Sequence, residues 1–182
     1  MTIRFYRRAG NVPCEAPDWA PVCDLDSWRP AVYGPPPPGP HAAENLAWYA
    51  FDRLGLFGSH AFEELSVKVA GRLLHRLIVT PSWFRFPFMA KADLQIGALW
   101  TAPEARRLGL AKAAIAEAHG RHAAPGRCFW YVADDENAAS IRLAEACGYR
   151  MVGVGRRTRP LGLSGRGQFR MDRTRVRRAP SA

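Results

Sequence analysis

The chain predicts a single α/β domain, and three observations carry that reading. Strand-like and helix-like patterns alternate through its second half: "DLQIGALWT", "LGLAKAAIAEAH", "RCFWYVAD", "NAASIRLAEA" and "YRMVGVGR" follow one another with short turns between them. With 182 residues, 48% of them hydrophobic, the chain can bury one substantial core but not two ordinary ones. No internal repeat interrupts the order, and no apolar run reaches the roughly 18 residues of a membrane span. The start, "MTIRFYRRAG", lacks the apolar centre of a signal peptide, so the expected location is cytoplasmic.

Taken in order, residues 3–7 read as a strand. Residues 13–40, which include "YGPPPPGP", cannot donate a continuous ladder of hydrogen bonds and are expected to form a surface excursion over the fold. From His41 the pattern turns helical, with Leu46, Ala50 and Leu54 as its apolar stripe and Gly55 as its stop. Residues 64–69 and 72–80 are two strands of a hairpin closed at "AGR". "PSWFRFPFMAKA" is an aromatic loop, and the third strand of this region follows it. A helix over about residues 108–119 ends before "APG"; a second begins at the cap Asn137 and stops at Gly148. A last strand lies near residues 167–172, ahead of a basic tail at 173–182.

The net charge of +10 rests on 23 arginines and 3 lysines, a balance that suits an anionic partner and equally suits an arginine-rich genome. Cys14, Cys23, Cys128 and Cys147 form no C-x-x-C pair and no metal spacing with the histidines. Reduced thiols are expected, and neither a disulfide framework nor a metal site.

One stretch carries chemistry. Between a strand ending near Thr101 and the helix that follows lies Arg106-Arg107-Leu108-Gly109-Leu110-Ala111. Backbone N–H groups at a helix N-terminus have no partner within the helix and favour negative charge, small residues let a phosphate approach them, and the arginines add charge at the rim. Arg106, Gly109 and Ala111, preceded by Leu99 to Glu104, resemble the R/Q-x-x-G-x-G/A loop of the GCN5-related N-acetyltransferase (GNAT) superfamily. About thirty residues on, Asn137, Ala138, Ala139, Ser140, Ile141, Leu143 and Cys147-Gly148-Tyr149 resemble that family's N-x-x-A/S-I-x-L-x-x-x-x-G-F/Y segment. The likeness covers roughly residues 93–154.

The resemblance implies a three-layer fold: a strongly twisted mixed sheet with helices on both faces, its central parallel strands at 94–101 and 127–133 splayed apart. It implies acetyl-CoA as acyl donor, with Leu99, Trp100 and Thr101 along the pantetheine, Arg106, Arg107, Leu108, Gly109, Leu110 and Ala111 around the pyrophosphate, and Asn137 and Ser140 reaching in from the second helix. Direct transfer to an amine needs a proton acceptor, an oxyanion donor and a proton for the thiolate. Many relatives supply that last proton from a tyrosine where this chain has Ala144, which leaves Tyr131, Tyr149, Ser140 or water as sources. Gln95 stands where a carboxylate would be convenient, and the base candidates are Asp93 and His75. Asp134, Asp135 and Glu136 read as a solvated turn ahead of the second helix.

Few acidic residues are available to hold a polycation, so the expected acceptor is neutral or anionic. The run from "LLHRLIV" through "SWFRFPFM" is also similar to acyltransferases of polysaccharide and amino-sugar biosynthesis, which makes an amino sugar the first acceptor class and a protein amine the second. Two other readings stay open. One is a nucleic-acid or anionic-surface binder using Arg156, Arg157, Arg159, Arg166, Arg170, Arg173, Arg175, Arg177 and Arg178; the other is a non-catalytic CoA-binding protein. The resemblance also leaves a homodimer open.

Overall fold

Eight strands join in one mixed sheet, and the first of them lies inside it. The computed structural model describes residues 2–11, 24–36, 41–158 and 167–172. In chain order the elements are β1 (Ile3–Ala9), β2 (Asp24–Trp28), α1 (Pro30–Tyr33), α2 (Ala42–Arg53), β3 (Glu63–Val69), β4 (Arg72–Pro81) and β5 (Leu94–Thr101), then a 3-10 turn (Pro103–Ala105), α3 (Leu110–His122), β6 (Cys128–Asp134), α4 (Ala138–Ala146), β7 (Arg150–Arg157) and β8 (Phe169–Asp172). Across the sheet they run β2-β3-β4-β5-β6-β1-β7-β8. Among the described residues only β5 and β6 pair in parallel.

Period-two alternation along β4 separates two cores. Leu77 and Val79 face a cluster with Leu94, Ile96, Phe129 and the small face of α3 and α4, namely Ala114, Ile115, Ala118 and Ala144. Ile78 points the other way, into an aromatic cluster of Trp28, Phe57, Phe62, Trp83 and Phe86, against which Trp48 and Phe51 of α2 pack. The sheet is therefore covered on both faces. The hairpin turn forms as expected, with Ala70 and Gly71 both at positive φ, 49° and 76°.

Two expectations are corrected. The proline-rich segment is not only a surface excursion, because Asp24–Trp28 forms an edge strand antiparallel to β3. No proline falls within that stretch, so its ladder donors are intact, and Pro30 then starts α1 where a missing N–H costs nothing. The stripe expected on α2 also faces the wrong way: Leu46 is 55% exposed and Leu54 71%. Asn45 and Asp52 are buried instead, with Trp48 and Tyr49 beside them. Asn45 accepts a hydrogen bond from buried Arg76 at 3.1 Å, and Asp52 meets His60 at 3.1 Å, so paired polar groups override the leucine pattern. The basic tail at 173–182, Cys14 and Cys23 lie outside the described residues.

Glu63, at the start of β3, is fully buried and ties three elements together. Its carboxylate accepts from Arg29 at 3.1 Å, Arg121 of α3 at 3.0 Å and His122 at 2.6 Å, and from Ser27 of β2. Burial alone would raise its pKa, but the hydrogen bonds from His122, Arg29 and Ser27 outweigh it and bring the value down to about 2. Removing the charge with Glu63→Gln leaves buried donors short of an acceptor and should cost about 3 kcal/mol in urea unfolding at neutral pH. Because the folded value is depressed, this stabilisation is present above the ordinary value of 4.5 and is lost as pH falls from there towards about 2; the variant should lack that acid limb.

Candidate active site

β5 and β6 begin side by side and then part. Residues 94–96 pair with 129–131, and no pairing continues beyond Ile96 and Tyr131. A bulge explains the divergence: Ala98 takes φ 50°, and the register with β4 slips between Arg76 and Ile78. Past Ile96 the β6-facing N–H and C=O groups of β5 have no strand partner, which leaves them able to bond a ligand.

A cleft lies on each side of the splay. On the α3/α4 side a cavity of about 730 Å³ is lined by Leu99, Trp100, Thr101, the 105–107 and 109–112 stretches, Asn137 and Ser140. On the other side a smaller cavity of about 310 Å³ is lined by Gln95, Gly97, Phe86, Asp134, Arg157 and Phe169, among others. Leu99, Tyr131 and Ser140 line both, so the two cavities meet there.

The larger cavity ends at the start of α3. Gly109 is the N-cap at φ 77°, no side chain caps the first turn, and no acidic residue lies in it. Its N–H groups together with Arg106, Arg107 and Lys112 form a cationic cradle that fits a diphosphate, while the open edge of β5 fits an extended amide-bearing arm. The helix starts two residues later than the sequence predicts, at Leu110, because Arg107 at φ 66° and Gly109 hold the loop in left-handed turns. Leu108 is corrected: it is 56% exposed and does not line the cavity. Asn137 lines the cavity and caps α4 as well, its Oδ1 accepting from Ser140 N at 3.0 Å.

Four candidate acid–base residues separate into one at the splay and three away from it. Tyr131 sits where the cavities meet, its hydroxyl 2.8 Å from Ser140 Oγ; burial raises its pKa above the ordinary 10, the Ser140 hydrogen bond opposing, so it keeps its proton. Tyr149 is buried and lines neither cavity; its hydroxyl meets His119 Nε2 at 2.7 Å, while Arg8 donates to the opposite ring nitrogen. Asp93 lies before the paired end of β5, where its carboxylate accepts from Ala90 N at 3.0 Å, Cys128 N at 2.9 Å and Trp130 Nε1 at 2.8 Å. Its lone pairs bind protein, and it lines neither cavity. His75 is 0% exposed, with Nδ1 2.8 Å from Thr101 Oγ1. Burial lowers its pKa to about 4, opposed by a backbone hydrogen bond to Trp100, so it is neutral and shielded.

The sequence reading missed the walls of the smaller cavity. Asp134 lines it rather than serving only as a solvated turn, as do Arg157 from β7 and Phe169 from β8. Of the aromatic loop, Trp83 and Phe86 are core, and Phe86 also borders the cavity. Gln95 lies across Gly97: a Cβ there would fall 2.4 Å from Gln95 Nε2. Ala144 is fully buried in the core, so the position offers no side chain to the splay. Among the described residues no group of His, Cys, Asp or Glu could hold a metal ion, and no helix is long and apolar enough to cross a membrane.

A covered mixed sheet, splayed at the parallel pair β5–β6 beside an uncapped helix start, is the architecture of a GNAT-type α/β fold. Solved structures share it: a GNAT-family protein from Novosphingobium aromaticivorans (TM-score 0.52, 20% identity, 85% of this chain and 62% of that one), a GCN5-related N-acetyltransferase from Sphaerobacter thermophilus (0.58, 15%, 84% and 49%) and a Drosophila protein (0.55, 16%, 84% and 48%). At these identities the likeness is one of fold, and the chain spans about half to three fifths of their length. No curated protein matches the sequence. The model of the acetyltransferase (GNAT) family matches residues 24–149, and the chain belongs to that family.

Gly109→Glu puts a side chain at a left-handed position and a negative charge in the cradle, so calorimetric affinity for CoA should fall at least about 100-fold with the fold retained. For His75 the folded pKa lies below the ordinary 6.5, so the unfolded chain takes up the proton first. Stability should be full above pH 6.5 and decline towards about 4, a limb that His75→Gln should flatten in urea titrations.

Proposed function

We propose that this protein is an acyl-CoA-dependent N-acetyltransferase that moves an acetyl group directly to an amine. The observation that carries the reading is the meeting of two cavities, from opposite faces of the sheet, at Leu99, Tyr131 and Ser140. Donor and acceptor can then be bound together, and no nucleophilic side chain is needed between them. Acetyl-CoA supplies an acetyl group already activated as a thioester.

The chain's own groups divide the remaining work. The first turn of α3 with Arg106, Arg107 and Lys112 holds the diphosphate, and the open edge of β5 at Leu99 and Thr101 bonds the pantetheine amides. A β6-facing N–H of the 97–99 stretch, turned by the bulge, donates to the acyl oxygen as charge develops on it. Tyr131, its proton held at neutral pH and its hydroxyl oriented by Ser140, is the donor to the departing sulfur. Asp134, the carboxylate in the smaller cavity, accepts the amine proton directly or through water, a part that Gln95 cannot take because its amide is no base. Among amines, an amino sugar on a nucleotide or glycan suits the aromatic wall of Phe86 and Phe169, with a protein amine as the second class.

Calorimetry with CoA, followed by acetyl-CoA turnover with an amine panel, tests the reading; a parent protein that fails to bind CoA sinks it. Tyr131→Phe should lower kcat about 10- to 100-fold while leaving CoA affinity within about twofold, the modest loss reflecting a thiolate that leaves readily. An unchanged kcat would remove Tyr131 from the mechanism.

A further inference from the structure

The smaller cavity is charged unevenly from end to end. Asp134 stands on β6 beside the splay. Arg157 lines the cavity from the end of β7, with its guanidinium 5.5 Å from the ring centre of Phe169. Between these strands lies β1: Asp134 is opposite Ile3, and Ile3 is opposite Gly155, two residues before Arg157. Two strand spacings, about 10 Å, thus separate the backbones that carry the two charges.

A second cation stands beside the first. Arg85, in the loop after β4, lies 5.2 Å over the ring of Trp83, and its carbonyl accepts the Phe169 N–H at 2.9 Å. The next residue, Phe86, stacks on Phe169 with ring centres 5.3 Å apart and 25° between planes. Both guanidiniums are therefore mounted on one aromatic wall. Burial, and then the charge of Arg157, lower the Arg85 pKa from its ordinary 12.5, which is the mark of two half-buried cations near enough to repel. Each keeps other contacts in the folded chain, so both are held in place before any ligand arrives.

We infer that the acceptor is an amine that also bears an anionic group, a carboxylate or a phosphate, bound at the β7–β8 end of the cavity by Arg157 with Arg85 beside it, its amine turned towards Asp134 and the splay. Bidentate, charge-assisted hydrogen bonds from the Arg157 guanidinium suit either anion, and the positive charge of Arg85 next to it adds to the attraction. The identity of the second ligand as an acyl acceptor rests on the transfer reading above; its charge rests on Asp134 and Arg157 in the cavity wall and on Arg85 next to Arg157.

Matched probes test this. Glucosamine 6-phosphate is compared with glucosamine, and 6-aminohexanoate with 6-aminohexanamide, by calorimetry on the full chain with and without saturating CoA. At least one anionic member should bind tenfold or more tightly than its neutral partner, and which pair responds tells phosphate from carboxylate. Arg157→Gln and Arg85→Gln should each bring that ratio to within about threefold, Arg157→Lys should keep part of it, and CoA affinity should stay within about twofold in all three. Neutral members binding as well as anionic ones in the parent, no member binding, or a ratio that survives both glutamine variants would overturn the inference. If Arg157→Gln does not fold, as loss of CoA affinity would reveal, Arg85→Gln decides. Failure of the parent to bind CoA strikes the transfer reading alone, because the ratio measured without CoA still reports on the arginines.

Discussion

Everything at the site depends on the parallel pairing of β5 and β6 ending after three residues on each strand. Unpaired backbone groups inside a protein cost about 1–3 kcal/mol each unless water or a ligand meets them. A gap in the middle of a sheet therefore persists only where both faces can admit one or the other, and here a cavity opens on each. The bulge at Ala98 is the local cause, since an extra residue on β5 bends that strand away while it stays bonded to β4. Tyr131, the last residue of β6 that pairs with β5, consequently stands at the mouth of the gap.

A sheet opened in this way needs a fixed root and fixed covers. Asp93 supplies the root: its carboxylate receives the main-chain N–H of Cys128 and the indole N–H of Trp130, stitching the start of β5 to β6 just below the splay. Glu63 ties α3 to β2 and β3 from one face, and Arg76 ties α2 to β3 and β4 through Glu44, Glu64 and Asn45 on the other. Both helical layers are thus anchored to the same part of the sheet. Such buried charges stabilise little against an apolar replacement, yet removing one partner is expensive, so they act mainly to fix relative positions.

The uncapped start of α3 and the α4 cap were legible in the sequence because each is a local backbone conformation written by neighbouring residues: a left-handed Gly109 before a helix, and an Asn137 three residues ahead of the N–H it accepts. The alternation of strands and helices was legible for the same reason. What could not be read depended on which groups the fold brings against each side chain. Asp93 and His75 were suitable types at suitable strand positions, but whether their lone pairs are taken is decided by Ala90, Cys128 and Trp130 in one case and by burial beside Thr101 in the other. The face of α2 was misjudged because Asn45 and Asp52 look like surface residues until Arg76 and His60 are placed against them. Within the proline-rich segment, β2 was hidden by prolines that flank the strand without entering it.

The position of β1 accounts for the shape of the smaller cavity. Had β7 paired directly with β6, its end would stand one strand spacing, about 5 Å, nearer the splay. Inserting β1 between them moves Arg157 outward, lays Ile3 along the cavity and lets β8 bring Phe169 up beside Phe86. The separation between the carboxylate on β6 and the guanidinium on β7 is therefore set by sheet topology, which thermal motion cannot readily change, rather than by a loop. A rigid spacing of opposite charges selects for ligand length as well as ligand charge. A short zwitterion would satisfy one end at the expense of the other, whereas an amine separated from its anion by several bonds can satisfy both.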